Sequence, residues 1–572
     1  MKGKTDMKKV ISVFLAVVMV FSVFAVTATA ATSEKAKYPI IFIAGNSIVI
    51  SDAEGNPLST GFEVLTDDDE GDMDTKKIIQ AAMNIIIPFV TEGLPFDKWD
   101  NYGKALYEEF APIWDESQID GDGNPKYGTG ISEADINSIN KNALKDYGAD
   151  GIFNYADYKF LYDWRLSPYE HVDRLHEFIK TVLDTTKCEK VCLIGRCIGG
   201  NVINAYLDTY GSEGLVAKVM FDEVMSNGSA TVNDCYSGKI KFSDKHLQAF
   251  LLESEYFGKE NIGLGALGLS DIMYDLIKVT TDLAVQTGVV DGTTASIEAL
   301  YDRLGTAFLP AVLRATGLGT WPGYWASVYA EDVDDAIDFV FGEEGTETRE
   351  ENAGLIEKIE YIRDHMAIPR SLEGDENLYK VFEKEYGVEI GILAGYGLVQ
   401  APLTESHDET GDCTVGVGDA SFGATAAGAF DTLPEDYIAE RVALGYGKYI
   451  SPDKKIDAST CLFPETTWFV KNKHHDTLNG YKVVENFCRY ENYTVDNNPQ
   501  NASQFLITTS IHGTGNFVNM TEDNCADGYW ITDVVQKPDK ATKLQALISF
   551  LRVVIKIISE LFGDFISSLE TA

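Results

Sequence analysis

The sequence predicts an α/β protein built on a mostly parallel sheet, and three features carry that expectation. Two short β-branched runs, Tyr38-Pro-Ile-Ile-Phe-Ile-Ala44 and Lys190-Val-Cys-Leu-Ile-Gly195, each lead into a glycine-containing loop, the pattern of buried strands. The second is followed by a helix-compatible stretch, Asn201-Val-Ile-Asn-Ala-Tyr-Leu207, and then by a third strand-like run, Val216-Ala-Lys-Val-Met-Phe-Asp222. Strand, turn, helix and strand in that order is the βαβ rhythm of a sheet covered by helices.

In chain order, the first segment stands apart from this fold. Met1–Lys9 holds four lysines and one aspartate, Val10–Val26 is an apolar and small-residue run, and Ala28-Thr29-Ala30 follows. That order is the charged, apolar and small-residue sequence of a secretory signal, and the run is short for a bilayer span. Residues 1–30 are therefore expected to be a signal peptide cleaved after Ala30, which makes the protein secreted or cell-surface. The 572-residue chain carries a formal charge of −42; the leader contributes +3, so the remainder would stand at −45. A surface of that sign repels nucleic acid and anionic headgroups, so no nucleic-acid partner is expected. The acidic residues are spread through apolar-rich sequence, with one dense run at Asp67-Asp68-Asp69-Glu70 that reads as a solvated loop.

Residues 31–540 are expected to form one domain. From about 243 to 386 the pattern becomes amphipathic and helical, before a strand-like run returns at Val388-Glu-Ile-Gly-Ile-Leu-Ala394. A helical cap inserted into the sheet topology explains that placement. Within it, Gly319-Thr-Trp-Pro-Gly-Tyr-Trp325 crowds aromatics around a turn, and Trp321 and Trp325 belong either to an apolar acyl-binding wall or to the insertion's own core. Asp120-Gly-Asp-Gly-Asn-Pro125 opens like a calcium loop, but Pro125 stands where that loop needs glycine, so a hairpin turn is expected. In residues 541–572, ten apolar side chains from Leu544 to Phe565 recur at spacings of three and four, one stripe of an amphipathic helix. Arg552, Lys556 and Glu560 argue against a membrane span, and docking on the protein's own body or on a partner helix is favoured over membrane association.

Eight cysteines, at 188, 192, 197, 235, 413, 461, 488 and 525, lack the close spacing of a disulfide scaffold or zinc module. No structural metal is expected, and Cys192, inside a strand, reads as a small buried apolar residue. Cys197 differs. It lies in Gly195-Arg-Cys-Ile-Gly199-Gly200, after an apolar strand and before a helix, which gives the G-x-C-x-G-G pattern the context of a nucleophile elbow. Such a turn projects the nucleophile from the end of the sheet and aims the next backbone amide, that of Ile198, at a developing oxyanion. The amides of the helix N-terminus favour thiolate over thiol.

At these residues the chain resembles a known family. Tyr162-Asp-Trp-Arg-Leu-Ser-Pro168 followed by the elbow at 195–200 is similar to the lecithin:cholesterol acyltransferase and lysosomal phospholipase family of α/β-hydrolases, where a Tyr-Asp-Trp-Arg element precedes Gly-His-Ser-Met-Gly-Gly. Ile43-Ala-Gly-Asn46 is similar to that family's Val-Pro-Gly-Asn, which implies an oxyanion role for the Asn46 amide. Two departures stand out: cysteine replaces the family's serine, and Arg196 replaces its histidine. The cysteine elbow resembles that of polyhydroxyalkanoate synthases, which implies that this fold can run acyl transfer from sulfur. Gly411-Asp-Cys-Thr-Val415 is similar to the family's Gly-Asp-Gly-Thr-Val, which implies Asp412 as the acid; Asp408 and Asp419 are its neighbours in sequence. The order nucleophile, acid, histidine leaves His474, His475 and His512 as bases. Thr466-Thr-Trp-Phe-Val470 reads as the last core strand, so His474 or His475, in the loop after it, is expected, and sequence does not choose between them. The Asp163–Arg165 pair beside Trp164 is expected to pin a loop.

The expected activity is a Cys-His-Asp esterase, lipase or acyltransferase on lipid-like acyl esters or thioesters, with no cofactor. A cysteine peptidase or amidase, a non-catalytic surface protein and a lipid carrier are the alternatives.

Overall fold

The computed structural model describes residues 38–45, most of 84–127, 158–241, 243, 246, 294–366, 378–400, 404–475, 482–508 and 517–525. The expected signal peptide, the Asn46 position, His512 and the C-terminal helix lie outside the described residues.

Eight strands form one sheet: β1 (Ile40–Ile43), β2 (Tyr158–Phe160), β3 (Val191–Cys197), β4 (Val216–Val224), β5 (Glu389–Tyr396), β6 (Thr467–Lys471), β7 (Phe505–Thr508) and β8 (Phe517–Asn519). Their order across the sheet is β8-β7-β6-β5-β4-β3-β1-β2, parallel throughout except for β8, which runs antiparallel to β7. The molecule is thus an α/β protein with a mostly parallel sheet. Every residue of β3 and of β4 is buried, as strands covered on both faces must be, which is why their sequences are near-continuous apolar runs. The three predicted strands at 38–44, 190–195 and 216–222 are β1, β3 and β4, and the run at 388–394 is β5. One expectation fails: the strand at 467–471 is not the last, because Gln504 and the apolar segment after it add β7 beside β6, and β8 pairs back on β7.

Helices α1 (Asp100–Phe110), α2 (Val172–Thr186), α3 (Gly199–Tyr210), α4 (Ala230–Ser237), α5 (Thr294–Ala315), α6 (Val333–Phe341), α7 (Ala353–Met366), α8 (Leu378–Tyr386) and α9 (Lys482–Arg489) accompany the sheet. In α2, Val172, Leu175, Phe178, Ile179 and Val182 fall at helical spacing and are buried, and Lys187 ends the helix in a left-handed conformation. All described elements between β4 and β5 are helical or short helical turns. There α4, α5 and α6 pack on one another, with Trp325 wedged between Tyr236 and Phe341. None of the described helices is long and apolar enough to cross a membrane.

The turn at 120–125 is a hairpin as expected: Asp120 Oδ1 accepts from the amides of Asp122 and Asn124, and Ile119 bridges Pro125. Cys192 is not a lone apolar residue. It forms a disulfide with Cys488, which ties β3 to α9 across 296 residues of sequence; long-range pairing of this kind leaves no trace in local spacing. The described free thiols are Cys188, Cys197, Cys235, Cys413, Cys461 and Cys525.

Candidate active site

From β1 the chain passes to β2 on one side and then returns to β3 on the other, so the order reverses between β1 and β3. In open α/β sheets the crevice outside the carboxyl ends at such a reversal is where ligands bind. Cys197 is the last residue of β3 and stands at that crevice.

The local chain geometry follows from steric demand. Cys197 has φ 54°, a left-handed conformation that costs a non-glycine residue roughly 1–3 kcal/mol and that clusters at functional sites. The turn closes onto α3, whose first residue, Gly199, packs so tightly under β1 that a Cβ there would sit 2.2 Å from the Ile43 carbonyl oxygen. The loop after β1 crosses the cysteine: a Cβ on Gly45 would lie 2.9 Å from the Cys197 Cβ. Tyr162 Oη donates to the Ala44 carbonyl oxygen at 2.7 Å and so ties that loop down. The tyrosine hydroxyl is pushed well above its ordinary pKa, by burial first and then by neighbouring Cys197 and Tyr324, which puts it in the same cluster. Ile198 is buried and stands at the N-terminal boundary of α3.

The structure chooses between the paired histidines. His475 Nδ1 lies 2.7 Å from Asp412 Oδ2, and the His475 amide donates to the Asp412 carbonyl oxygen at 2.9 Å. Asp412 Oδ1 accepts from the amides of Thr414 (2.9 Å) and Val415 (2.7 Å). Burial alone would raise the Asp412 pKa, but His475 and the two amides outweigh it and hold the carboxyl below its usual range. Burial would lower the His475 pKa; Asp412 and the Cys197 sulfur overcome that and raise it well above the usual imidazole value. Its Nε2 has no other hydrogen-bond partner among the described residues and is left to the Cys197 sulfur. Cys197, Asp412 and His475 thus come together, whereas His474 is buried beside them without bonding Asp412. Asp408 pairs with His246 at 3.1 Å, and Asp419 accepts from the Ala230 amide and the Tyr329 hydroxyl, so neither reaches this histidine.

Asp163 and Arg165 form a buried two-point ion pair (3.0 and 2.8 Å), and Arg165 Nη1 also reaches the Ser117 carbonyl oxygen. The Trp321 indole N–H donates to the same carbonyl at 2.9 Å, while the Trp325 N–H donates to Gly319. Both tryptophans are buried, Trp321 edge-on against Trp164 and Trp325 between Tyr236 and Phe341.

Sequence reasoning missed one group. Behind His475 lie Arg196, Asp222, Glu223 and Lys473, all buried. Arg196 donates to the His475 carbonyl oxygen and stands 3.8 Å from Glu223, while Lys473 Nζ contacts Glu223 and lies 3.9 Å from Asp222. The Glu223 carboxyl is pushed up to about 8 by burial, with Lys473 opposing, Asp412 and Asp222 adding, and Arg196 opposing again. Glu223, Asp412 and His475 offer ligand atoms within 4.8 Å of one another. Two cations already lie against Glu223 and Asp412 is committed to His475, so the group is built as a charge network. An Asp-Glu pair ending the apolar run of β4 was the one available sequence signal.

Fold and site together define an α/β protein with a Cys-His-Asp constellation at the carboxyl edge of its sheet. Comparison with known proteins goes no further: no family model, no curated protein and no solved structure matches the chain.

Proposed function

We propose that this protein is an α/β-hydrolase that transfers or hydrolyses acyl groups through a thioester on Cys197, with His475 as base and Asp412 as its orienting acid. The observation that carries the reading is the Asp412–His475 dyad set beside a cysteine held in a left-handed strand-to-helix turn. Asp412 fixes the imidazole with its proton on Nδ1, so Nε2 is free to take the thiol proton. Sulfur then attacks the carbonyl carbon of an ester or thioester, and the carbonyl electron pair moves onto oxygen. The Ile198 amide, with that of Asn46, would receive the oxyanion. Collapse expels the alcohol or thiol, which takes its proton from the imidazolium, and leaves an acyl-thioester on Cys197. Attack by water, deprotonated by His475, releases an acid; attack by an alcohol or amine gives transfer.

Lipid-like acyl esters are the proposed substrate class. The disulfide between Cys192 and Cys488 supports the proposed export, because such bonds persist in oxidising compartments. The test is a panel of p-nitrophenyl esters of graded chain length, with matched thioesters and anilides, on wild type and Cys197→Ala, and mass spectrometry for an acyl adduct on the Cys197 peptide. Ester turnover that vanishes in a folded Cys197→Ala supports the reading. Full turnover in that variant, or turnover confined to anilides, overturns it.

A further inference from the structure

We propose that Arg196 and Glu223 are positioning residues that brace the base loop of this site, Arg196 by gripping the backbone of His475 and Glu223 by holding both Arg196 and Lys473. The inference rests on His475 being the base of Cys197 and adds what keeps it in place.

The loop 472–475 begins as β6 ends, and two of its residues are anchored from behind. Lys473 reaches Glu223 with its ammonium, and the His475 carbonyl oxygen accepts from Arg196, whose guanidinium stands 3.8 Å from the same carboxyl. One carboxyl therefore serves both anchors. Glu223 is 0% exposed and has φ 50°, a strained backbone for a glutamate at a strand end. The neighbouring strand is cut to receive it: a Cβ on Gly395 would lie 2.5 Å from Glu223 Oε1 and 2.9 Å from the Asp412 Cβ. Gly395 thus admits the brace and the catalytic aspartate to one pocket.

The Asp163–Arg165 pair holds a loop to the Ser117 carbonyl, whereas the Arg196 guanidinium ends on the backbone of the residue whose ring must meet the nucleophile. Arginine suits the task because its planar fork of donors can serve a carbonyl and a carboxyl at once. A shift of about 1 Å at a reacting group can cost on the order of a hundredfold in rate, so fixing this loop has kinetic weight.

Iodoacetamide labelling of Cys197 at pH 7, followed by peptide mapping, tests the brace without a known substrate. His475→Ala sets the floor for a thiol with no imidazole partner. Arg196→Met leaves the His475 carbonyl oxygen without its donor and Glu223→Gln takes the shared carboxyl from Arg196 and Lys473, so each alone can fail to fold; the main variant is the double substitution Arg196→Met/Glu223→Gln, which removes both members of the brace and leaves Lys473 its Asp222 neighbour. We expect it to melt cooperatively and to label Cys197 on the order of tenfold to a hundredfold more slowly than wild type. Arg196→Lys, with a donor of the same charge, should recover part of that rate. A folded double variant that labels at the wild-type rate overturns the brace, and so does an Arg196→Lys protein no faster than a folded Arg196→Met. Wild-type labelling in His475→Ala would instead overturn the pairing of His475 with Cys197, a failure of the functional reading that the same series separates from failure of the brace.

Discussion

Asp412→Asn is the substitution for which the site makes the sharpest demand. Asp412 Oδ1 accepts from two backbone amides, at 2.9 and 2.7 Å, and Oδ2 faces His475 Nδ1 at 2.7 Å. An asparagine in this place must put its carbonyl oxygen where Oδ1 was, because an NH2 group there would confront two N–H donors. Its NH2 then points at Nδ1, which can only accept. The imidazole proton moves to Nε2, the atom that receives the proton of Cys197 in the proposed mechanism. The fold is kept but the tautomer is wrong, a change worth roughly 10⁴-fold in kcat in a serine triad. Asp412→Ala leaves the imidazole free to choose its tautomer, so its loss should be no larger and can be smaller by an order of magnitude or so. The assay is p-nitrophenyl butyrate hydrolysis across pH 6–9, with thermal melts to show that both variants fold. Asp412→Asn within about tenfold of wild type, or Asp412→Ala far worse than Asp412→Asn, would refute the reasoning, since either result means that Asp412 does not set the proton on His475.

Four further outcomes follow from the same geometry. The Asp412 pKa is lowered in the folded protein, so its pairing stabilises above the unfolded value of 3.8 and that stability is lost as pH falls through the folded value; the stability gap between wild type and Asp412→Asn should narrow in acid denaturation series below pH 3.8. Arg165→Ala removes one partner of a fully buried ion pair and should cost about 3–5 kcal/mol in denaturant unfolding, against near zero for the exposed Lys180 pair with Glu177. Breaking the Cys192–Cys488 disulfide should cost about 2–5 kcal/mol, so reductant should lower the melting temperature of wild type but not that of the Cys192→Ala/Cys488→Ala double variant. Truncation after Asp539 should leave soluble, folded protein, because the eight-stranded sheet and the Cys197, Asp412 and His475 positions are complete before it; insoluble or non-cooperative product would show that the C-terminal segment belongs to the core.

What was legible in the sequence was whatever the chain states locally. The elbow could be read at Gly195–Gly200 because a left-handed residue between strand and helix needs glycines close by on both sides, and the central strands could be read because burial on two faces makes most of their residues apolar. Short edge strands gave no such signal: β2 is Tyr158–Phe160, with Lys159 exposed between two aromatics. The choice of His475 over His474 was illegible for another reason. It depends on a backbone hydrogen bond to Asp412, 63 residues away, and on a ring that meets the same residue, a coincidence fixed only by tertiary packing. The Glu223 network is likewise a product of strand adjacency in space, since β3, β4, β5 and β6 are neighbours in the sheet while their residues lie far apart in the chain, and the disulfide depends on α9 packing against β3.

That adjacency also gives a reason for the arginine in front of Cys197. Residues 196 and 197 are consecutive at the end of β3, where the left-handed Cys197 and a register shift against β4 break the regular pleat. Cys197 takes the crevice side, and Arg196 projects away from it, toward the carboxyl that ends β4 and the loop that follows β6. Cys197 and the backbone of His475 are then joined through a single peptide unit and one guanidinium. A histidine at position 196 has a shorter side chain and at most two donors, and could not hold both the His475 carbonyl and Glu223. With Arg196 in place, the Glu223 carboxyl has cations on two sides, and the wall behind the imidazole carries charges of both signs. The burial that pushes Glu223 up to about 8 would cost more still without those two partners, so the strained carboxyl, the arginine and the lysine make sense only as a set.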